Sequence, residues 1–342
     1  MKIIVDAMGG DNAPGSAVIG TIMAAEEFGV EACLVGKGEK ILEVIHENGY
    51  GALPKGIEIV DAPEVIEMTD DPSSAVREKK NSSMAVGLAM LAEGVGDAFV
   101  SAGSTGALLS GSTLVIKRIR GIRRAALPPL LPTKTGKALL IDCGANVECT
   151  PEYLVQFAYM GSFYVRKILN IPEPRVGLLN VGSEETKGTA LQKETYKLLK
   201  EAGERGSIRF IGNVEGRDIM FGGCDVVVAD GYSGNILLKS IEGLGLFFVD
   251  ALKEMFTKNT LSKLASLAVK DSLRDLKKLM DYNETGGTPL LGISKPVIKA
   301  HGSATAFTIR SAIKQAIEYT DSGIVESIQE NIEYMKVEQG EQ

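Results

Sequence analysis

The chain has 342 residues, of which 44% are hydrophobic and 24% are charged, so it is long and apolar enough to bury a large core, and a disordered chain is excluded. The formal net charge of -7 would repel a polyanion, which makes nucleic acid a poor partner. No run reaches the roughly 18 uninterrupted apolar residues of a membrane span. Since the four cysteines also lack CxxC or zinc-finger spacing, we expect a reduced, cytoplasmic protein.

Short apolar runs alternate with helical patterns along most of the chain. The runs end in Gly, Asp, Asn or Ser and are typical of parallel strands covered on both faces by helices. This alternation predicts a wound α/β sheet, which we interpret as a single catalytic domain, residues 1–342. Strands are expected at residues 2–7, 31–36, 57–62, 97–103, 137–144, 175–182, 208–213 and 225–231, and helices at 14–28, 82–93, 104–119, 151–169 and 189–203.

Residues 243–281 break this alternation, because they offer two helices and no strand. We expect a protruding helical hairpin. Its first helix carries an apolar stripe too wide for an isolated hairpin to cover, which favours a dimer interface over a cofactor groove. The stripe consists of Leu244, Phe247, Phe248, Ala251, Leu252, Met255 and Phe256.

The tip of this hairpin places apolar side chains among lysines. Such a mixture suits an anionic membrane surface, where buried apolar area and lysine attraction add. Packing of the same leucines within a dimer is an equally good interpretation, and the sequence does not separate the two. The apolar residues are Leu261, Leu264, Leu267 and Val269.

Small polar residues occur at seven junctions on one expected edge of the sheet, in "DAMGGDNAP", "SAGSTGALL", "DCGAN", "NVGSEETKGT", "GNVEGRD", "ADGYSGN" and "KAHGSATAF". Glycine allows a tight turn and Asp, Asn, Ser or Thr caps a helix, so each junction alone has a structural explanation. Together they bring backbone N–H groups, amides and a lysine to one sheet edge. This combination is what an anion site at helix N-termini requires.

The stretch "GSEETKG", residues 182–188, is the clearest of these junctions. It fits neither the Walker A spacing nor GxGxxG. Ser183 or Thr186 is the expected cap of the next helix, but a cap does not need Lys187. Because a cation near a helix N-terminus opposes the helix dipole, Lys187 indicates that an anion such as phosphate binds between them.

The seven motifs together resemble the bacterial phosphate acyltransferase family, the acyl-carrier-protein:phosphate transacylases known as PlsX. The resemblance covers nearly the whole chain. It implies a wound αβα three-layer sandwich like that of isocitrate and isopropylmalate dehydrogenases and of phosphotransacetylase, and a homodimer. It also implies transfer of a fatty acyl group from acyl-carrier protein to inorganic phosphate, giving acyl phosphate for phospholipid synthesis.

This reaction agrees with the polar residues. Dianionic phosphate attacks a thioester directly, so the site must bind anions and stabilise an oxyanion, and we expect no covalent acyl-enzyme, metal or cofactor. The expected catalytic residues are Lys187, His301, Asn180, Asn235 and Asp230. The expected substrate-binding residues are Ser183, Gly182, Ser104, Thr105, Gly106, Asn146, Asp142, Asp11 and Asn12.

Three further assignments have alternatives. His301 is suitably placed to protonate the departing thiolate, or else is a structural hydrogen-bonding residue. Cys143 has no histidine beside it in the sequence, so a buried thiol is favoured over a nucleophile. Pairs of acids, Asp6 with Asp11 or Asp225 with Asp230, are better explained as loop caps than as Mg²⁺ ligands.

Acidic carrier protein needs a basic docking surface, and the segment "IKRIRGIRR" is the best match; a solvated helix end is the alternative. We also expect a peripheral position at the inner face of the membrane and contact with a downstream glycerol-3-phosphate acyltransferase. Competing functions are a short-chain phosphotransacetylase, a β-decarboxylating dehydrogenase and a non-catalytic membrane scaffold. The expected docking residues are Lys117, Arg118, Arg120, Arg123 and Arg124.

Overall fold

The computed structural model describes residues 1–260, 262, 269 and 286–336. Its strands are short and rich in β-branched residues. All the strands predicted from the sequence are confirmed, and three more are added, β5, β10 and β11. The strands are β1 Lys2–Asp6, β2 Glu31–Gly36, β3 Ile57–Asp61, β4 Ala98–Ser101, β5 Leu130–Thr133, β6 Gly136–Ile141, β7 Arg175–Leu179, β8 Arg209–Val214, β9 Val226–Val228, β10 Gly287–Pro289 and β11 Val297–Ala300.

The helices alternate with these strands. A π-helical turn, Ser112–Ile116, follows α5 and ends the helix that the sequence pattern extended to residue 119. The helices are α1 Gly15–Phe28, α2 Gly38–Glu47, α3 Ala75–Glu78, α4 Ser83–Glu93, α5 Thr105–Gly111, α6 Pro151–Ile168, α7 Ala190–Glu204, α8 Gly216–Ile219, α9 Gly231–Thr257, α10 Ala306–Asp321 and α11 Ile324–Glu330, with a 3-10 turn at Ile332–Met335.

The strands form two sheets, where the sequence pattern predicted one. The first has the order β10-β11-β4-β1-β2-β3 and the second the order β5-β6-β9-β7-β8. Each is parallel except for one antiparallel edge strand, β10 or β5. Alternation of strands and helices does not reveal where a sheet ends, and the missed edge strands are short, so the division was not predictable from periodicity.

Helices cover both faces of each sheet, which gives the αβα sandwich predicted above. In β1, Ile3 and Val5 pack with Ile22 of α1 and Ile309 of α10, whereas Ile4 packs with α4 on the opposite face. Alternate strand residues point to opposite faces, and both faces are buried here. The cluster around Ile3 also contains apolar side chains of β6, β7 and β9, so one apolar core joins the two sheets.

Helix α9 begins twelve residues before the predicted hairpin, at Gly231, and runs to Thr257 as one element. Its Leu244, Phe247 and Phe248 are exposed. Most of the rest of the predicted hairpin, including Leu261, Leu264 and Leu267, lies outside the described residues. Val269 is described and is 39% exposed. None of the described helices combines the length and the apolar character needed to cross a membrane.

Candidate active site

The loops after β6 and after β11, at the carboxyl ends of parallel strands of the two sheets, lie close together, and the space between them is called the cleft below. Lys239 and Glu242, which form an ion pair on α9 (2.7 Å), act electrostatically on Cys143 after β6 and on His301 after β11. The second sheet with α9 and the first sheet with β11 therefore border the same space. Ligand sites in wound α/β proteins are found at such edges.

Asp142 organises the second-sheet side of the cleft. Its Oδ1 accepts from Leu127 N (2.7 Å), and its Oδ2 accepts from Asn146 N (2.7 Å) and Asn146 Nδ2 (3.0 Å). Burial raises the pKa of Asp142 to about 6, although these hydrogen bonds oppose the shift. Asn146 Nδ2 also donates to Ala125 O (2.8 Å). Both amide hydrogens of Asn146 are thus engaged, so its Oδ1 is the better group for a ligand, as an acceptor.

Two glycines let α9 pack directly on this loop. A Cβ at Gly234 would lie 2.0 Å from Asp142 O, and a Cβ at Gly231 would lie 2.5 Å from Asn146 O. Real Cβ atoms do not approach backbone oxygens so closely. The two glycines of the motif "DGYSGN" therefore allow the N-terminus of α9 to pack against Asp142.

Asp230 and Asn235 lie at that helix N-terminus. Asp230 caps α9, accepting from Ser233 N (2.8 Å) and Ser233 Oγ (2.9 Å). Asn235 is exposed, and its side chain faces Gly144, whose Cβ position is 3.5 Å from Asn235 Cγ. Asp230 therefore holds the N-terminus of α9, and the exposed Asn235 amide lies beside Gly144 in the loop after β6.

Asn180 closes the loop that follows β7. Its Nδ2 donates to Lys187 O (3.2 Å), and its Oδ1 accepts from Val181 N (2.8 Å). Asn213 of β8 supports the same loop by donating to Glu184 O (2.8 Å). The hydrogen bond from Asn180 to Lys187 joins the two ends of this segment, so residues 181–186 form a closed loop before α7.

The cap of α7 is Thr189, not Ser183 or Thr186. Thr189 forms a capping box with Gln192, because each side chain bonds the other residue's backbone N–H. Ser183 is left exposed in the projecting loop, while Gly182 is buried. Lys187 stands two residues before the cap and lies 4.0 Å from Glu184, with half of its side chain exposed. This loop therefore offers a lysine and backbone N–H groups to solvent at the N-terminus of α7.

The first-sheet side contains two buried charged residues, Asp6 and Lys299, and the sequence analysis singled out only Asp6. Asp6 accepts from Ser101 Oγ (2.7 Å) and Met8 N (3.2 Å), and burial raises its pKa. Lys299 of β11 is only 8% exposed and donates to Ala102 O (3.4 Å) and to Ala300 O. Burial lowers the pKa of Lys299 to about 8, and the nearby charge of Asp6 opposes the shift. A lysine within an apolar strand, "PVIKA", was the available signal.

Asp11, Asn12 and His301 join two loops on this side. Asp11 N donates to Gly302 O (2.8 Å), and Asn12 Nδ2 donates to Ser303 O and Ala304 O, both at 3.2 Å. His301 Nδ1 accepts from Ser303 N (3.2 Å), which assigns the proton of the neutral ring to Nε2. Partial burial and the charges of Lys239 and Lys299 lower the pKa of His301.

The remaining predicted binding residues lie at the start of α5. Ser104 caps this helix by accepting from Ala107 N (3.4 Å) and is buried, with Thr105 half-buried beside it. Gly106 lies against Pro72, because a Cβ there would be 2.7 Å from Pro72 Cβ. These three residues position α5 next to the segment after β3.

The basic segment does not form one uniform surface. Arg118 and Arg124 line a cavity beside Asn146, whereas Arg123 pairs with Glu152 (3.0 Å). Lys117 and Arg120 are exposed. Arg77, which sequence reasoning did not single out, lines the same cavity.

The cysteines have the properties of inert thiols. Burial raises the pKa of Cys143 well above its usual value, and raises that of Cys149 and of Cys224 to about 12. Burial also raises the pKa of Cys33. Only the thiolate is an effective nucleophile, so these environments disfavour covalent catalysis by cysteine.

The fold described above is a wound αβα sandwich, and known proteins share it. A phosphotransacetylase from Streptococcus pyogenes superimposes with a TM-score of 0.63 at 18% identity, covering 95% of this chain and 94% of that one. The EutD phosphotransacetylase from Staphylococcus aureus gives a TM-score of 0.61 at 16% identity, over 93% and 94% of the two chains. At these identities the likeness concerns the fold alone.

Sequence comparison identifies the family. A family model described as "Fatty acid synthesis protein" matches residues 1–327. Proteins named phosphate acyltransferase from Thermoanaerobacterium thermosaccharolyticum and Bacillus licheniformis are each 47% identical to this chain, covering 97% of it and 97% and 98% of their own lengths. The chain therefore belongs to the phosphate acyltransferase family, as its seven motifs indicated, and is an acyltransferase.

Proposed function

We propose that the protein transfers a fatty acyl group from the thioester of acyl-carrier protein to inorganic phosphate, giving acyl phosphate for phospholipid synthesis. The observation that carries this proposal is the loop from Asn180 to Thr189, which holds Lys187 at the N-terminus of α7. A cation and backbone N–H groups at a helix N-terminus suit a dianion. Membership of the phosphate acyltransferase family agrees with this chemistry.

The proposed step is direct attack of phosphate on the thioester. A phosphate oxygen bonds to the carbonyl carbon, the tetrahedral oxyanion collapses, and the C–S bond breaks to release the carrier thiolate. Asn235 is the candidate donor to the oxyanion, and Asp142 and Asp230 fix the loop and helix that carry it. The raised pKa values of the cysteines support a route with no covalent acyl-enzyme.

His301 is better suited to hydrogen bonding than to proton transfer. Its lowered pKa keeps the ring neutral at pH 7, and a neutral imidazole is a weak acid. Its Nδ1 accepts from Ser303 N, which fixes the orientation of the ring. We infer that His301 orders the loop after β11 beside the reacting groups and does not titrate in the working range.

We also propose a single catalytic domain that forms a homodimer. The apolar core shared by the two sheets supports the first point, and the exposed apolar side chains of Leu246, Phe247 and Phe248 on α9 support the second. Contact with a membrane surface through the hairpin tip, and with a downstream glycerol-3-phosphate acyltransferase, stays a prediction.

The test is release of free thiol from long-chain acyl-carrier protein with and without inorganic phosphate, together with detection of acyl phosphate. We expect phosphate-dependent release. Lys187→Ala should raise the KM for phosphate by about 10-fold or more, since it removes a charged hydrogen bond. Lys193→Ala, on the exposed surface of α7, is the matched control and should behave as wild type. Unchanged phosphate kinetics in Lys187→Ala would remove Lys187 from the site.

A further inference from the structure

A cavity of about 540 Å³ opens beside Asn146, and nothing in the phosphate site described above uses it. Segments that follow β3, β4 and β6 line it, so it lies between the two sheets. Val76, Leu109 and Leu114 supply apolar surface. Its volume falls within the range of about 300–1000 Å³ that is typical of small-molecule sites.

Three arginines from two segments line this cavity: Arg77, Arg118 and Arg124. Arg77 Nη2 donates to Ser73 O (3.4 Å), and Asp71 lies near enough for the Arg77 charge to act on it. The Arg124 guanidinium lies over the ring of Tyr153, 5.5 Å from its centroid. Guanidinium groups are the preferred side chains for phosphate esters, which they bind through paired N–H donors.

The backbone around Arg118 is unusual and firmly held. The π-helical turn Ser112–Ile116 leads into Lys117, whose φ of 76° lies in the left-handed region that non-glycine residues rarely adopt. Lys117 N donates to Ser112 O (2.9 Å), and Ser294 binds both sides of the turn, from N to Lys117 O and from Oγ to Ile116 O, each at 3.0 Å. Such π-turns and strained residues cluster at functional sites, and this one places Arg118 at the cavity.

We propose that this cavity binds the phosphorylated pantetheine arm of the acyl thioester, with Arg77 and Arg118 on its phosphate; this inference rests on the proposed function. The arm is long, mostly uncharged and contains amides. Asn146 lines the end of the cavity, and its Oδ1 can accept from an arm amide because its Nδ2 hydrogens are engaged. Asn146 also adjoins the Gly144–Asn235 contact. An arm running from the arginines past Asn146 would therefore bring its thioester to Asn235.

The test compares two small donors, S-acyl-pantetheine and S-acyl-4′-phosphopantetheine, which differ only in the phosphate. For wild type we expect a KM about 10-fold or more lower for the phosphorylated donor. The double variant Arg77→Gln with Arg118→Gln should lose this advantage, so that its KM values for the two donors become equal. The control Arg120→Gln with Arg123→Gln removes the same number of charges from the basic segment that contains Arg118 and should keep the advantage. Thermal denaturation checks that both variants fold.

The outcomes separate this inference from the proposed function. Turnover of both small donors with equal KM in wild type would overturn the cavity assignment and leave the transferase intact. If no donor releases thiol, the proposed function fails, and calorimetric binding of an S-alkyl-4′-phosphopantetheine thioether decides the cavity: binding lost in the Arg77/Arg118 variant supports it, and no binding to wild type refutes it.

Carrier protein and coenzyme A both carry this arm, so both full-size donors are included. An equal loss with acyl-carrier protein and acyl-CoA in the Arg77/Arg118 variant would assign the arginines to the shared arm. A loss confined to acyl-carrier protein would place them on the surface of the carrier and overturn the proposal.

Discussion

Lys299→Met is the perturbation whose size follows most directly from the structure. Lys299 lies 8% exposed at the end of β11, and burial lowers its pKa from 10.5 to about 8. Because its pKa is lower in the folded than in the unfolded state, protonated Lys299 destabilises the folded protein below pH 8. This destabilisation decreases as the pH rises toward 10.5. Its full size is about 3 kcal/mol, from about 1.4 kcal/mol per pKa unit.

The assay is urea denaturation of wild type and variant at pH 7.5 and 9.5. Because methionine does not titrate, the free energy of unfolding of wild type should rise relative to Lys299→Met by about 2 kcal/mol between these pH values. The lost hydrogen bonds to Ala102 O and Ala300 O shift the variant by a constant amount, and comparing two pH values cancels it. A difference that stays constant with pH would show that Lys299 has an ordinary pKa and is not buried as described.

Two further predictions concern α9 and His301. Gly234→Ala should destabilise the protein by about 2 kcal/mol or more in urea denaturation, because its Cβ would meet Asp142 O at 2.0 Å. The control is Gly243→Ala on the same helix, whose Cβ would have nothing within 4 Å. It should be neutral or stabilising by about 0.5–1 kcal/mol. The ratio of kcat between wild type and His301→Gln should stay constant from pH 7 to 8.5, since the lowered pKa of His301 lies below this range; a ratio that falls across it would restore the role of general acid.

Much of the fold was readable because its signals are local. Strands such as β1 and β9 are continuous apolar runs followed by Asp or Gly, and periodicity identifies them without tertiary information. Strand β11 escaped because its four residues include Lys299 and follow a proline, so no apolar run stands out. The split into two sheets escaped because strand pairing is decided by contacts distant in sequence.

For the candidate site, the sequence motifs located the loops but did not reveal the structural role of each residue. "DCGAN" and "DGYSGN" were found as separate motifs, yet their residues serve one contact, with Gly231 and Gly234 seated on Asp142 and Asn146. Arg77 was not found, because nothing in "SSAVREKK" distinguishes it from a solvated cation. Its position in a cavity with Arg118 depends on segments more than thirty residues apart being brought together.

The length of the loop after β7 now has a physical explanation. A short turn could have joined β7 to α7, since Thr189 caps the helix by itself. The chain instead uses Asn180 to hold Lys187 O, and thereby keeps a cation at a helix end whose dipole disfavours it. Glu184, at 4.0 Å and exposed, is too weak a partner to offset that cost. In the site that we propose, a bound dianion would contact both the lysine and the helix N-terminus, so that its charge would offset their mutual repulsion.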